Sequence, residues 1–180
     1  IVAAEDTRHS RVLLAHIGAA PARVLSLHEH NEEARSPQLV ELLQQGHDVA
    51  LVSDAGTPLI SDPGFELVRL ARSRRIRVVP IPGASAVMAA LSASSVPVDR
   101  FYFEGFLPAR AEARRKRLAE LASLRVSVVF FEAARRLRAT LEELGKIVDA
   151  DRQLLLAKEL TKIFERIETG RFVALVEQTQ

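Results

Sequence analysis

The chain has 180 residues, 48% hydrophobic and 27% charged, with 25 basic and 23 acidic side chains and no cysteine. These fractions belong to one ordinary globular domain or two small ones, and exclude wholesale disorder, a collagen-like repeat and, for want of ~20 consecutive apolar residues, a membrane-spanning helix. Without cysteine there is no disulfide, thiolate metal site or cysteine nucleophile, which fits a reducing, cytoplasmic setting.

Ile1 to Ala4 reads as the buried half of a strand, with neither an initiator Met nor the basic and apolar regions of a signal peptide. The sequence therefore reads as a fragment that lacks an N-terminal piece. Further strands are predicted at Val24 to Leu27, Val49 to Ser53 and Val78 to Ile81. Helices are predicted at about Thr7 to Ile17, Glu32 to Gln45, Pro63 to Arg74 and Ser85 to Ser94. Apolar β-branched strands alternating with helices imply βαβ crossovers and a parallel sheet. Ser94-Ser95-Val96-Pro97 breaks that rhythm, because Pro97 disfavours helix at Val96. Beyond it, strands are expected at Phe101 to Phe106, Val126 to Phe131, Leu154 to Lys158 and Phe164 to Glu168. The intervening and final helices are expected at Ala111 to Ala122, Arg135 to Val148 and Arg171 to Glu177. Seven of the eight Phe follow residue 100, as a second core requires. Two α/β domains result, residues 1–95 with a parallel sheet and 99–180 with a mixed one.

Ligands of open α/β sheets bind where strands run into loops and helix N-termini. Val52-Ser53-Asp54-Ala55-Gly56-Thr57-Pro58-Leu59-Ile60-Ser61-Asp62-Pro63-Gly64 is such a place, holding two Gly, two Pro, two Asp and three hydroxyls. It is longer than the usual connection of about 2–6 residues. Gly56 permits close backbone approach, and Asp62 with Pro63 reads as the N-cap and first position of the next helix. A second turn, Pro80-Ile81-Pro82-Gly83-Ala84-Ser85-Ala86, is expected beside the first. Two polar runs, Glu5 to Ser10 and His28 to Glu32, follow earlier strands and should edge the same cleft. His28, Glu29 and His30 alternate along an extended segment and have no evident third ligand, so no metal is expected. Asn31 reads as a helix cap. The dinucleotide fingerprint, the Walker loop and the Gly-x-Ser-x-Gly elbow are absent from the sequence.

Net charge is only +2, but Arg69 to Arg77, Arg110 to Arg117 and Arg135 to Arg138 form three basic clusters. Together they favour a polyanionic partner.

Taken in order, several motifs resemble the ribosomal RNA branch of the tetrapyrrole-methylase superfamily. They are Ala4-Glu5-Asp6-Thr7-Arg8-His9-Ser10, His28-Glu29-His30-Asn31-Glu32, Ser53 to Pro58 with Ser61 to Gly64, and Pro80 to Ala84. Arg100-Phe101, Phe103 to Pro108 and Lys158-Glu159-Leu160-Thr161-Lys162 continue the match. The family's N-terminal Gly-x-Pro-Ile-Gly-Asn-Leu loop is missing. Its Phe-Tyr-Glu-Ser-Pro-His-Arg stretch appears as Phe130-Phe131-Glu132-Ala133-Ala134-Arg135-Arg136, so no role of that Ser or His carries over.

The resemblance implies a two-domain α/β tetrapyrrole-methylase-like fold that binds S-adenosylmethionine between its domains. Cofactor contacts carry over to Ala55, Gly56, Thr57, Ile60, Ser85 and Ala86, with Glu132 and Ala157 to Thr161 as further positions. The implied reaction is 2′-O-ribose methylation of a cytidine in the decoding region of 16S ribosomal RNA, on the 30S subunit, by a homodimer. Such transfer needs in-line placement of the ribose oxygen and a group to accept or offset its proton. Asp6, His28, Glu29, Asp54 and Lys158 are the candidates, with Arg8, Arg114, Arg115 and Arg117 for phosphates. Asp6 and Asp54 read equally well as cap and loop residues. A tetrapyrrole methyltransferase and a non-catalytic RNA-binding module are the competing readings.

Overall fold

The computed structural model describes residues 1–178. The chain divides into two compact units, Ile1–Ser85 and the residues from Ala86 onward.

In the first unit β1 (Val2–Ala4), β2 (Val24–Ser26) and β3 (Ala50–Val52) alternate with α1 (Thr7–His16), α2 (Glu32–Gln44) and α3 (Phe65–Ser73). The strands form a parallel sheet in the order β2-β1-β3, with Val2 opposite both Val24 and Ala50. The central strand is buried throughout its length, and its alanines let the helices pack close. Ala3, Leu27, Leu39, Val40 and Leu67 form the core, joined by Leu25, Leu51, Leu70 and Ile76. Full burial of one such leucine contributes roughly 1.5–3 kcal/mol relative to exposure.

Two expectations fail here. Val78 to Ile81 is not a strand. The sheet ends at β3 among the described residues, and without a ladder partner Val79 and Ile81 stay exposed. Nor does Asp62 cap α3, which begins at Phe65 with Gly64 as its N-cap at φ 122°. Glu32 of α2 closes that end instead. Its Oε1 accepts from Gly64 N–H at 2.9 Å and Glu66 N–H at 2.6 Å, satisfying amides that no local side chain reaches. A Cβ on Gly64 would meet Leu51 at 2.5 Å, so packing and backbone both demand glycine.

The second unit contains α4 (Ala86–Ser92), β4 (Phe101–Phe106), α5 (Ala111–Ala122), β5 (Ser127–Phe131) and α6 (Ala134–Leu144). It ends with β6 (Gln153–Lys158), β7 (Arg166–Arg171) and α7 (Phe172–Gln178). β4 and β5 pair in parallel; β6 and β7 pair antiparallel, Gln153 opposite Arg171. Leu107, Leu118 and Leu121 form its core with Val128, Phe130 and Leu144. Phe103 meets Phe131 edge-on at 5.1 Å. β7 lies a little later than the expected Phe164 to Glu168, leaving Ile163 and Phe164 exposed in the preceding loop. No helix among the described residues is long and apolar enough to cross a membrane.

Candidate functional site

The carboxyl ends of β1 and β3 are cross-tied by their polar loops. Glu5 N–H donates to the Val52 carbonyl, and Asp54 N–H donates to Glu5 Oε2 at 3.2 Å. In return, Asp6 N–H donates to Asp54 Oδ1 at 3.1 Å. The other oxygen of Asp54, Oδ2, lies 3.3 Å from His9 Nδ1.

Asp6 is the N-cap of α1, its side chain accepting from Arg8 N–H. The Arg8 guanidinium also grips both Asp6 oxygens, at 3.2 and 2.8 Å, and holds this carboxyl well below the usual range. Asp6, His9 and Asp54 gather three potential ligand atoms within 4.8 Å of one another. With both Asp6 oxygens on Arg8, the arrangement is an ion pair beside a histidine–carboxylate pair rather than a cation cage.

The loop that begins at Asp54 turns through Gly56 at φ 75°, a conformation that favours glycine. Thr57 Oγ1 donates to the Ala84 carbonyl at 2.9 Å, so the two glycine turns are bound to each other although Val78 to Ile81 forms no strand. Ala55, Gly56 and Thr57 are exposed, as is Ile60. Glycine turns with accessible amides and carbonyls suit a ligand held through backbone contacts. Ser85 ends the first unit and Ala86 opens α4.

A cavity of about 330 Å³ opens beside these loops, lined by Glu5, Glu29, Glu32, Ser61, Asp62 and Pro63. Burial pushes the Asp62 carboxyl up against the opposing Ser53 hydroxyl, and the like charges of Glu5 and Asp54 add to the rise. His28 belongs to the turn after β2, its N–H donating to Asn31 Oδ1 at 2.8 Å. Asn31 occupies the N-cap position of α2 without bonding it. Its Nδ2 ties back to Ser26 instead.

In the second unit Glu132 is committed. Its Oε1 accepts from Ala133 N–H and Arg136, and its Oε2 from Thr140 Oγ1, which braces α6 internally. Ala157 lies within β6 and Lys158 ends it, exposed. Thr161 follows in a tight loop at φ 64°, its N–H donating to Glu165 Oε2.

The expected basic face of α5 is also broken. Arg114 is buried, its Nη1 donating to the Ala109 carbonyl at 3.1 Å. Arg117 holds Glu104 through two bonds of 2.6 Å and also reaches Glu120 and Tyr102. Arg110, Arg115 and Lys116 remain exposed. Glu5, His9 and Glu32 are site residues that the sequence places only within the polar runs edging the cleft, with no individual role. His9 alone carries a readable signal, standing one helical turn after the cap Asp6.

Residues 1–175 match the model of the family described as Tetrapyrrole (Corrin/Porphyrin) Methylases. The chain belongs to this family. The chain is 52% identical over 178 residues to a protein of Pasteurella multocida (strain Pm70) named ribosomal RNA small subunit methyltransferase I, covering 99% of this chain and 63% of that one. The protein of the same name in Escherichia coli O157:H7 is 45% identical over 183 residues, covering 100% and 64%. The chain thus spans somewhat less than two thirds of these relatives' length. Among solved structures, cobalt precorrin-4 methyltransferase CbiF superposes with a TM-score of 0.66 at 18% identity, covering 99% of this chain and 77% of that one. The methyltransferase CobJ gives 0.63 at 19%, covering 95% and 85%. Both share the methylase fold.

Proposed function

We propose that the full-length protein carrying this chain transfers a methyl group from S-adenosylmethionine to the 2′-hydroxyl of a cytidine in the decoding region of 16S ribosomal RNA. On this reading it is a cytoplasmic homodimer whose substrate is the 30S subunit. The observation that carries the reading is identity of 45–52%, over the whole chain or nearly so, to proteins named ribosomal RNA small subunit methyltransferase I.

S-adenosylmethionine supplies an electrophilic methyl on a sulfonium when bound. Ala55, Gly56, Thr57 and Ile60 of the first loop, with Ser85 and Ala86 of the second, would hold it. The Thr57–Ala84 hydrogen bond fixes these two backbone surfaces against each other, so little ordering is left to binding. What remains for the protein is to align the ribose oxygen, take its proton and hold the neighbouring phosphates. Asp6 is unsuited to proton transfer, being paired through both oxygens with Arg8. Arg8, whose side chain is 89% exposed, together with Arg110, Arg115 and Lys116, would contact phosphates.

Transfer of a tritiated methyl group by the full-length protein to undermethylated 30S particles, with the modified nucleotide mapped, tests the reading. The expected product is a single 2′-O-methylcytidine. Methylation of a porphyrin precursor with none on RNA would replace it with a tetrapyrrole methyltransferase. Failure to bind S-adenosylmethionine at millimolar concentration would leave a non-catalytic RNA-binding module.

A further inference from the structure

We propose that His9 takes the proton from the hydroxyl being methylated, and that Asp54 positions it. This rests on the ribose-methylation reading above and adds the group that completes the reaction.

Among the charged side chains where β1 and β3 end, Asp6 and Asp54 are each engaged through both oxygens and Glu5 through one. Asp6 gives both oxygens to Arg8. Asp54 receives Asp6 N–H on one oxygen and faces His9 with the other. Glu5 accepts from Asp54 N–H. The imidazole of His9 differs from all three. A carboxylate only accepts, so Nδ1 must carry the proton it shares with Asp54 Oδ2 at 3.3 Å. In the neutral ring Nε2 then keeps its lone pair, and no partner for it exists among the described residues. His9 is held at the start of α1, three residues after the cap, with its side chain 75% exposed. It is thus open to a substrate as large as a ribosomal particle.

Asp54 is itself immobilised, pinned by its own N–H and through both oxygens. The loop it starts reaches Gly56 two residues later, a span of at most about 7 Å, so the positioning carboxylate and the glycine turn are parts of one segment. An imidazole with one nitrogen tethered to a carboxylate and the other bare is the arrangement of a general base. In the transfer, the ribose oxygen forms its bond to the methyl carbon of the sulfonium donor. The carbon–sulfur bond breaks with its electron pair going to sulfur, and the hydroxyl proton passes to Nε2. A neutral thioether, a methyl ether and an imidazolium result, and the proton then leaves to water. Asp54 offsets the imidazolium charge as it forms.

The test uses the full-length protein. His9→Ala should lower kcat for 30S particles by roughly 10²–10⁴-fold. Cofactor affinity and KM for the particle should stay within about twofold, and added imidazole should restore part of the missing rate. Nitrogen-15 NMR of the histidine rings supplies a reading independent of turnover. His9 should show protonated Nδ1 and bare Nε2, and Asp54→Asn should release that preference while slowing transfer. Full activity of His9→Ala overturns the proposal, as does a loss that imidazole cannot relieve or that comes with abolished cofactor binding. A wild-type protein that methylates no RNA overturns the underlying reading, and the base assignment falls with it. That failure is distinct from a working enzyme indifferent to His9.

Discussion

Glu32 stands at the first position of its own helix, yet its carboxylate closes the start of another. Replacing it with Ala would leave two amides of α3 without their charged acceptor, and such bonds are typically worth about 1.5–3 kcal/mol each before relaxation. The site is only half-buried, so a net loss of about 1–3 kcal/mol in urea denaturation is expected for Glu32→Ala, and less for Gln. At Gly56 the demand is conformational rather than steric, since an added Cβ would find only the Ala84 carbonyl, at 3.9 Å. The left-handed backbone should penalise Gly56→Val by about 1–2 kcal/mol. On the proposed cofactor assignment, calorimetry should show at least tenfold weaker binding of S-adenosylmethionine while the fold survives. Sequence made Gly56 and Thr57 conspicuous because glycine and hydroxyl residues in a long strand-end loop have few structural uses. It could not reveal Glu32, whose partners lie more than thirty residues away and meet it only after α2 and α3 dock.

Within α5, sequence spacing foretold the helix but not which arginines face water. Charge alone cannot separate an arginine that satisfies buried carbonyls, as Arg114 does, from one that meets solvent. Arg117→Met should therefore destabilise the second unit without a specific effect on RNA. Replacing Arg110, Arg115 and Lys116 together should weaken RNA binding. The salt dependence should flatten by roughly 0.7–0.9 in log–log slope for each phosphate no longer neutralised. Filter binding across a salt series separates the two sets, and equal effects would remove α5 from the RNA interface. The Arg117 bonds also hold the Glu104 carboxyl below its ordinary value of 4.5. Its native pKa is depressed, so the stability it contributes is complete above that ordinary value and disappears as pH falls toward the native one. Acid titration of Glu104→Gln should accordingly show a shallower loss of stability below about pH 4.5 than the parent protein.

At the scale of the whole molecule, the alternation of β-branched runs with helical patterns announced a parallel sheet followed by a mixed arrangement. The structure has a parallel trio, a parallel pair and an antiparallel pair. Every predicted helix is present, because apolar periodicity is a local property. The strand predicted at Val78 to Ile81 shows where that logic stops. Its sequence suits a strand, but a strand exists only beside a neighbour, and pairing is not written in the segment itself. The same dependence on distant partners governs α3 in time as well as in space. Its first amides gain their acceptor only when α2 has docked on the sheet, so these two helices should mature as one cooperative step. Native-state hydrogen exchange should find the Gly64 and Glu66 amides opening together with the amides of α2, and ahead of them only if Glu32 is removed.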